Sequence, residues 1–414
     1  SPGPLQNYNY PLPGVTRTLA GTIAGTDTWS GTVLVIGDVT VTGSLTIEPG
    51  TEVVFEHLHD TQTAGNDTSR SELILDGGTL TAAGTASEPI TFTSSRTPKT
   101  AGDWYGIRIK GGDVTLQNCV VEYAAEGIRF EDTDTRFENY ALADTTVRYC
   151  TGNGIWTTSG QYAQPVVLDN FSVVGNGTGI RAEGPLTMNG GEVRNSGGYG
   201  INGSAPLVFA GTSVRLNSGI GVYNYGATTT LTGCSVAHNQ SEGIYGFRTD
   251  LIVDGCTVSN NGGWGINTYG NGRTVNISDN TVQANGGGVR LFMSLTVTLS
   301  GNTISANNGI GLELELLNWE GSAGIAPGGI TNNSIFGNGG VGIRVAGSQP
   351  HVITLSGNDI YNNTGFELFN GNGGDDLIDG RGGFDRVIYS TILNDTVTGG
   401  VSIDLASGIV TGDA

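Results

Sequence analysis

One motif recurs along this chain at intervals of about 22 residues, and it limits the possible folds more than any other feature. The motif is a Gly followed by an apolar residue, with Asn and small residues just before it. The pairs are Gly106-Ile107, Gly127-Ile128, Gly154-Ile155, Gly179-Ile180, Gly200-Ile201, Gly221-Val222, Gly243-Ile244, Gly265-Ile266, Gly288-Val289, Gly311-Leu312, Gly342-Ile343 and Gly365-Phe366. A second apolar column precedes each pair by five to seven residues: Val120, Val147, Val173, Val193, Val214, Val236, Val258, Val282, Ile304, Ile335 and Ile360. Such a unit has room for two or three short strands and no 10-residue helix, so helical crossovers are excluded. It also cannot bury its own apolar face. Stacking units ~4.8 Å apart pairs every strand with its copy and merges the faces into one core. The expected fold is all-β, a right-handed parallel β-helix of about 14 coils.

The Asn column has a physical reason. Asn176, Asn195, Asn217, Asn239, Asn261, Asn285, Asn307, Asn338 and Asn362 fall just before the pairs. Asn tolerates left-handed backbone, and stacked amides can bond along the axis. Upstream, Val33-Leu34-Val35-Ile36, Val39-Thr40-Val41, Leu45-Thr46-Ile47, Val53-Val54-Phe55, Leu73-Ile74-Leu75 and Ile90-Thr91-Phe92 continue the strand pattern. Residues 1–25 are expected to be an extension or cap, 26–369 the β-helix, 370–390 a separate repeat and 391–414 a β connector or tail.

Composition agrees. Gly supplies 70 of 414 residues, charged residues are only 14%, and the formal net charge is −20. That charge argues against nucleic acid and anionic membranes as partners. It also disfavours polyanionic polysaccharides unless Arg clusters locally. No 18-residue apolar run is present, so membrane insertion is not expected. The chain opens at Ser1 with no leader pattern, as a processed, secreted or cell-surface protein would.

These repeats resemble the pectate-lyase-like superfamily of right-handed parallel β-helices over residues 30–370. The resemblance implies the fold and leaves function open, because lyases, hydrolases, epimerases, adhesins and tailspikes share it. The Asp-Pro-His-Glu tetrad of alginate epimerases is missing. So is an Asp pair with a nearby Lys of the pectate lyase kind; the lysines are Lys99 and Lys110.

Residues 371–388 read Gly-Asn-Gly-Gly-Asp-Asp-Leu-Ile-Asp and Gly-Arg-Gly-Gly-Phe-Asp-Arg-Val-Ile. Asp376 and Asp385 lie nine apart, as do Ile378 and Val387. This resembles two copies of the RTX, hemolysin-type calcium-binding nonapeptide, with Arg381 where Gly is usual. The resemblance implies a short β-roll-like segment holding Ca2+ through Asn372, Gly374, Asp376, Asp379, Gly383 and Asp385, all hard oxygen donors.

The residue after each apolar anchor should point outward, one per coil: Arg108, Arg129, Trp156, Arg181, Asn202, Tyr223, Tyr245, Asn267, Arg290, Glu313, Arg344 and Glu367. Within this row Trp156, Arg181, Asn202, Tyr223 and Tyr245 have the aromatic-plus-polar character of a glycan-binding groove; plain cross-strand stacking explains them too. Insertions at 129–150 and 313–330 are placed to wall that groove. Glu126, Asp132 and Asp134 are candidate paired acids for glycosidic chemistry. His238, four residues before Glu242, is a candidate base, and His57 with His59 a candidate metal pair. Cys234 and Cys256 should stack in adjacent coils as either a disulfide or two buried thiols.

Two functions fit. One is an extracellular structural or adhesive module, calcium-stabilised, binding glycan or self-associating through the helix ends. The alternative is a carbohydrate-active enzyme, a polysaccharide lyase or glycoside hydrolase, using the face near Trp156.

Overall fold

The computed structural model describes residues 3–8, 14–131, 139–158, 165–270, 272–292, 295–316, 329–347, 354–365, 368–370, 377–380, 387–389, 402–404 and 409–411. The described residues form two compact units, Ser1–Leu207 and Val208–Ala414. Each is a parallel β-helix, and no helix occurs among the described residues.

In the first unit, successive coils pair through Arg17–Ile23, Thr32–Val41, Glu72–Ala83, Gly106–Gln117, Ile128–Phe130, Asn153–Thr157, Thr178–Ala182 and Ile201–Gly203. Val39, Leu73, Ile107, Ile128, Ile155, Ile180 and Ile201 stack in register inside. All of them are essentially inaccessible to solvent. Coiling begins at Arg17, inside the stretch expected to be an extension: Arg17–Ile23 already pairs in parallel with Thr32–Val41. The short strand Gln6–Tyr8 lies antiparallel on it and covers the edge. The second apolar column differs from expectation by one residue at its start. Val121, not Val120, stacks on Val147 and is buried. Alternation puts Val120 on the opposite side of its strand.

The second unit repeats the pattern with Val222, Ile244, Ile266, Val289, Leu312 and Ile343 inside. Its turns are fixed by a ladder of buried amides. Asn217, Asn239, Asn261, Asn285, Asn307 and Asn338 each pass Nδ2–H to the Oδ1 of the next, ending on Asn363, at 2.8–3.1 Å. The same Oδ1 accepts the backbone N–H of the preceding Asn. The second Nδ2 proton goes to a Val or Ile carbonyl of an earlier coil. Every polar atom of the amide is thus used, which makes its burial tolerable.

Asn195 and Asn362, expected in this column, are exposed turn residues with φ of 58° and 55°. The buried position belongs to the residue after each, Ser196 and Asn363. Asn has two separate chemical roles in the motif. One residue takes the left-handed turn, and its successor forms the ladder.

A second ladder runs through Asn280, Asn302, Asn333 and Asn358. Cys234 and Cys256 continue it. Cys234 N–H donates to Cys256 Sγ at 3.2 Å, and Cys256 N–H to Asn280 Oδ1 at 2.7 Å. Both are free, buried thiols rather than a bridge. The hydrogen bond with Cys234, together with burial, pushes the Cys256 thiol well up.

Asn261→Ala should destabilise the protein by about 3 kcal/mol, because neighbouring buried groups lose partners. Asn260→Gly, at the exposed left-handed position beside it (φ 56°), should change stability by less than about 1 kcal/mol. Urea unfolding of the two variants checks this, and equal effects would refute the ladder.

Candidate functional site

The outward row exists in each unit. In the first, Thr22, Thr40, Ile74, Arg108, Arg129, Trp156, Arg181 and Asn202 are register partners in succession. In the second, Tyr223, Tyr245, Asn267, Arg290, Glu313 and Arg344 are. The five candidate glycan residues therefore divide between units: Trp156, Arg181 and Asn202 in one, Tyr223 and Tyr245 in the other. Glu367 lies outside the described residues.

Trp156 does not offer a bare ring face. The Arg129 guanidinium sits 4.0 Å over its ring centroid and the Arg181 guanidinium 4.5 Å. Its Nε1–H donates to Glu183 Oε2 at 3.0 Å, and Arg181 Nε donates to Glu183 Oε1 at 2.9 Å. Register makes Arg129 and Arg181 its axial neighbours, so both faces of the indole are covered. In the second unit the rings also pair with one another. Tyr223 and Tyr245 meet edge-on at 5.6 Å, and Tyr225, Phe247, Tyr269 and Phe292 form a stacked column at 4.7–5.4 Å. That column is cross-strand packing.

Glu126 lies on the turn that enters the Arg129 strand and is half-buried. Its Oε2 accepts both the backbone N–H and the Nδ2–H of Asn153, each at 3.0 Å. Gly152 leaves the space its other oxygen occupies; a Cβ there would stand 2.3 Å from Oε1. Burial pushes the Glu126 carboxyl up, although Asn153, Arg129 and Arg181 oppose the shift. A partly exposed carboxyl whose proton affinity burial raises, within electrostatic reach of the Arg129 and Arg181 guanidinia, is suited to general acid work. Asp132 and Asp134, its expected partners, lie outside the described residues.

His238 is a turn residue. It takes the left-handed position (φ 57°), is exposed, and its backbone N–H donates to Ser259 O. His57 and His59 are exposed, and His59 Nε2 is 3.7 Å from Glu56. Among the described residues no group of three potential metal ligands converges. Of the calcium candidates, Asn372, Gly374, Asp376, Gly383 and Asp385 lie outside the described residues. Asp379 lies on the strand Leu377–Gly380.

Sequence reading missed the buried charges at the start of this row. Arg108 forks onto Glu131 (2.9 and 2.8 Å) and reaches Glu72 at 2.8 Å. Glu72 is inaccessible to solvent; burial pushes its carboxyl up, against the pull of Arg108. Its Oε1 also accepts the N–H groups of Asn66 and Asp67. Asp38, equally buried, accepts the Glu72 N–H at 2.9 Å through Oδ1, while Oδ2 has no partner. Burial, with Asp60 and Glu72 close by, pushes Asp38 up to about 7. Asp60 in turn receives the N–H groups of Asp38, Gln62 and Ala64. These acids thus hold residues 60–67 as one wall of a cavity of about 720 Å³, lined by Thr22, Thr40, Thr42, Ile74, Asp76 and Lys110 among others. The available signal was an Asp inside the apolar strand Thr32–Val41, a placement that is costly without a specific partner.

An acid whose folded pKa is raised binds its proton more readily when folded, so stability falls as pH rises from about 4 to about 7. Asp38→Asn removes that dependence. Its melting temperature relative to the parent should be higher at pH 8 than at pH 5, as thermal scans at both values would show. An unchanged difference would contradict the assignment.

Comparison with known proteins follows the same lines. Residues 104–245 and 198–360 match the family model described as right handed beta helix region. Residues 30–126 match the pectate-lyase like beta helix domain. No curated protein matches the chain. Among solved structures, the A-module of mannuronan C-5 epimerase AlgE4 from Azotobacter vinelandii shares 15% identity, with 78% of this chain and 87% of that chain covered and a TM-score of 0.43. The periplasmic alginate epimerase AlgG shares 11%, with 83% and 84% covered and a TM-score of 0.31. A mannuronic acid specific polysaccharide family 6 lyase from human gut microbiota shares 11%, with 78% and 76% covered and a TM-score of 0.29. The family match spans more than half of the chain, and the strands it covers are those that stack in parallel, so the chain belongs to the right-handed β-helix family.

Proposed function

We propose that the chain is a carbohydrate-active β-helix that lays a polysaccharide along the outward row of its first unit. The observation that carries this reading is Glu126: a half-buried carboxyl held by Asn153, beside Arg129 and Arg181, with its proton favoured by burial. A scaffold does not require such a group at the edge of a charged row. Glu126 would give its proton to the glycosidic oxygen at the cleaved bond. Arg129 and Arg181, fixed against Trp156, would bind the sugar hydroxyls. Contact with the chain would run through guanidinia and the indole edge, since the ring faces are covered.

The calcium reading of residues 371–388 belongs to the same proposal. Its support is the nine-residue phase of Asp376 and Asp385. The parallel pairing of Leu368–Asn370 with Val387–Tyr389, Leu377–Gly380 falling between them in sequence, fits a roll of alternating short strands. Secretion and assembly through the helix ends stay within this proposal as its setting.

Incubation with neutral and acidic polysaccharides, followed by product analysis, tests the activity. One of them should be turned over. Glu126→Gln should lower the rate at least about a hundredfold, and the parent rate should fall as pH rises through the elevated pKa of Glu126. No product from any polysaccharide, or full activity in the variant, would overturn the reading. For calcium, chelation should leave residues 371–414 readily cut by protease; unchanged resistance would refute the site.

A further inference from the structure

We propose that the cavity at the Thr40 end of the row is a subsite for an uncharged, hydroxyl-rich sugar residue. The proposal rests on the carbohydrate reading above and names the chemistry that one part of the row selects.

The cavity holds about 720 Å³, within the range of small-ligand sites. Its floor is the row itself: Thr22, Thr40 and Ile74 in register, ending at Arg108. Three Thr side chains line it, Thr22, Thr40 and Thr42, with Ile74 as an apolar patch between the polar groups. Hydroxyls around a small apolar surface match a sugar ring, which has C–H faces and an equatorial belt of hydroxyls.

The Thr40 hydroxyl is sealed from solvent, so it is not among the groups a ligand meets. The polar side chains open to a ligand are Lys110 and Asp76, 30% and 45% exposed.

The charges decide the class of sugar. Lys110 Nζ lies 3.0 Å from Asp76 Oδ2, so a donor and an acceptor stand side by side, as a vicinal diol requires. Every Arg108 nitrogen is already directed at Glu72 or Glu131. Each cation of the cavity is therefore balanced by a carboxylate. A sugar carboxylate entering here would meet Asp76 and an Arg108 already neutralised by Glu72 and Glu131, without a spare positive charge, in a chain of net charge −20. A neutral residue meets no such penalty. By strand spacing the cavity lies roughly 14 Å from the Arg129 coil, a few sugar residues along one bound chain.

The test is calorimetric titration of the full chain with gluco-, manno- and galacto-configured neutral tetrasaccharides, and with hexuronate tetrasaccharides of matching length. At least one neutral tetrasaccharide should bind more tightly than any hexuronate. Asp76→Asn, close in shape and free of the charged acceptor, should weaken that binding about five- to tenfold without lowering the melting temperature. Lys110→Met should weaken it as well. Absence of neutral binding, parent-like affinity in Asp76→Asn, or preference for the hexuronate would each overturn the subsite. Turnover and its dependence on Glu126 are read in a separate assay. Loss of the catalytic reading with Asp76-sensitive binding intact, or the reverse, tells the two failures apart.

Discussion

Parallel pairing between coils makes one demand on everything else: each coil must place the same chemistry at the same position as its neighbours. Backbone bonds alone do not fix that register, because the side-chain period of two leaves slipped pairings with similar ladders. The buried Asn columns of the second unit do fix it. An amide that gives one proton up the axis and one to a strand carbonyl, and accepts two, has a single satisfied arrangement. Slipping one coil would leave several buried polar atoms unpaired, at a cost of about 1–3 kcal/mol each. Apolar stacking supplies most of the stabilisation, and the amides supply its phase.

Much of this was legible in the sequence. The Gly-apolar repeat located the inner columns and, one residue on, the outward row, because strand alternation turns one observation into the other. What escaped had physical causes. Asn serves both as a left-handed turn residue and as a ladder amide, and spacing alone confused Asn195 with the buried Ser196 beside it. The second ladder was hidden because Cys234 and Cys256 occupy two of its rungs. They sit between Gly and Ser or Thr, as Asn302 does. Their burial reflects packing and backbone bonding rather than a cross-link.

The site was less legible than the fold because it depends on contacts between coils far apart in sequence. Trp156 reads as a sugar platform until Arg129 and Arg181, 27 and 25 residues away, are seen on its two faces. Asp38 and Glu72 gave only the weak signal of acids in apolar strands. Their partners come from residues 60–67 and from Arg108, joined only by folding. The same stacking that builds the scaffold thus assembles the charged row, and the coil insertion at 56–71 turns one end of it into a cavity.

Side-chain amide hydrogen exchange in the folded protein, followed by NMR, tests the ladder most directly. If buried amides set the register, the NH2 groups of Asn239, Asn261, Asn285 and Asn307 exchange orders of magnitude more slowly than that of Asn260, the exposed turn residue beside the column. Exchange of the ladder amides at the rate of Asn260 would contradict it.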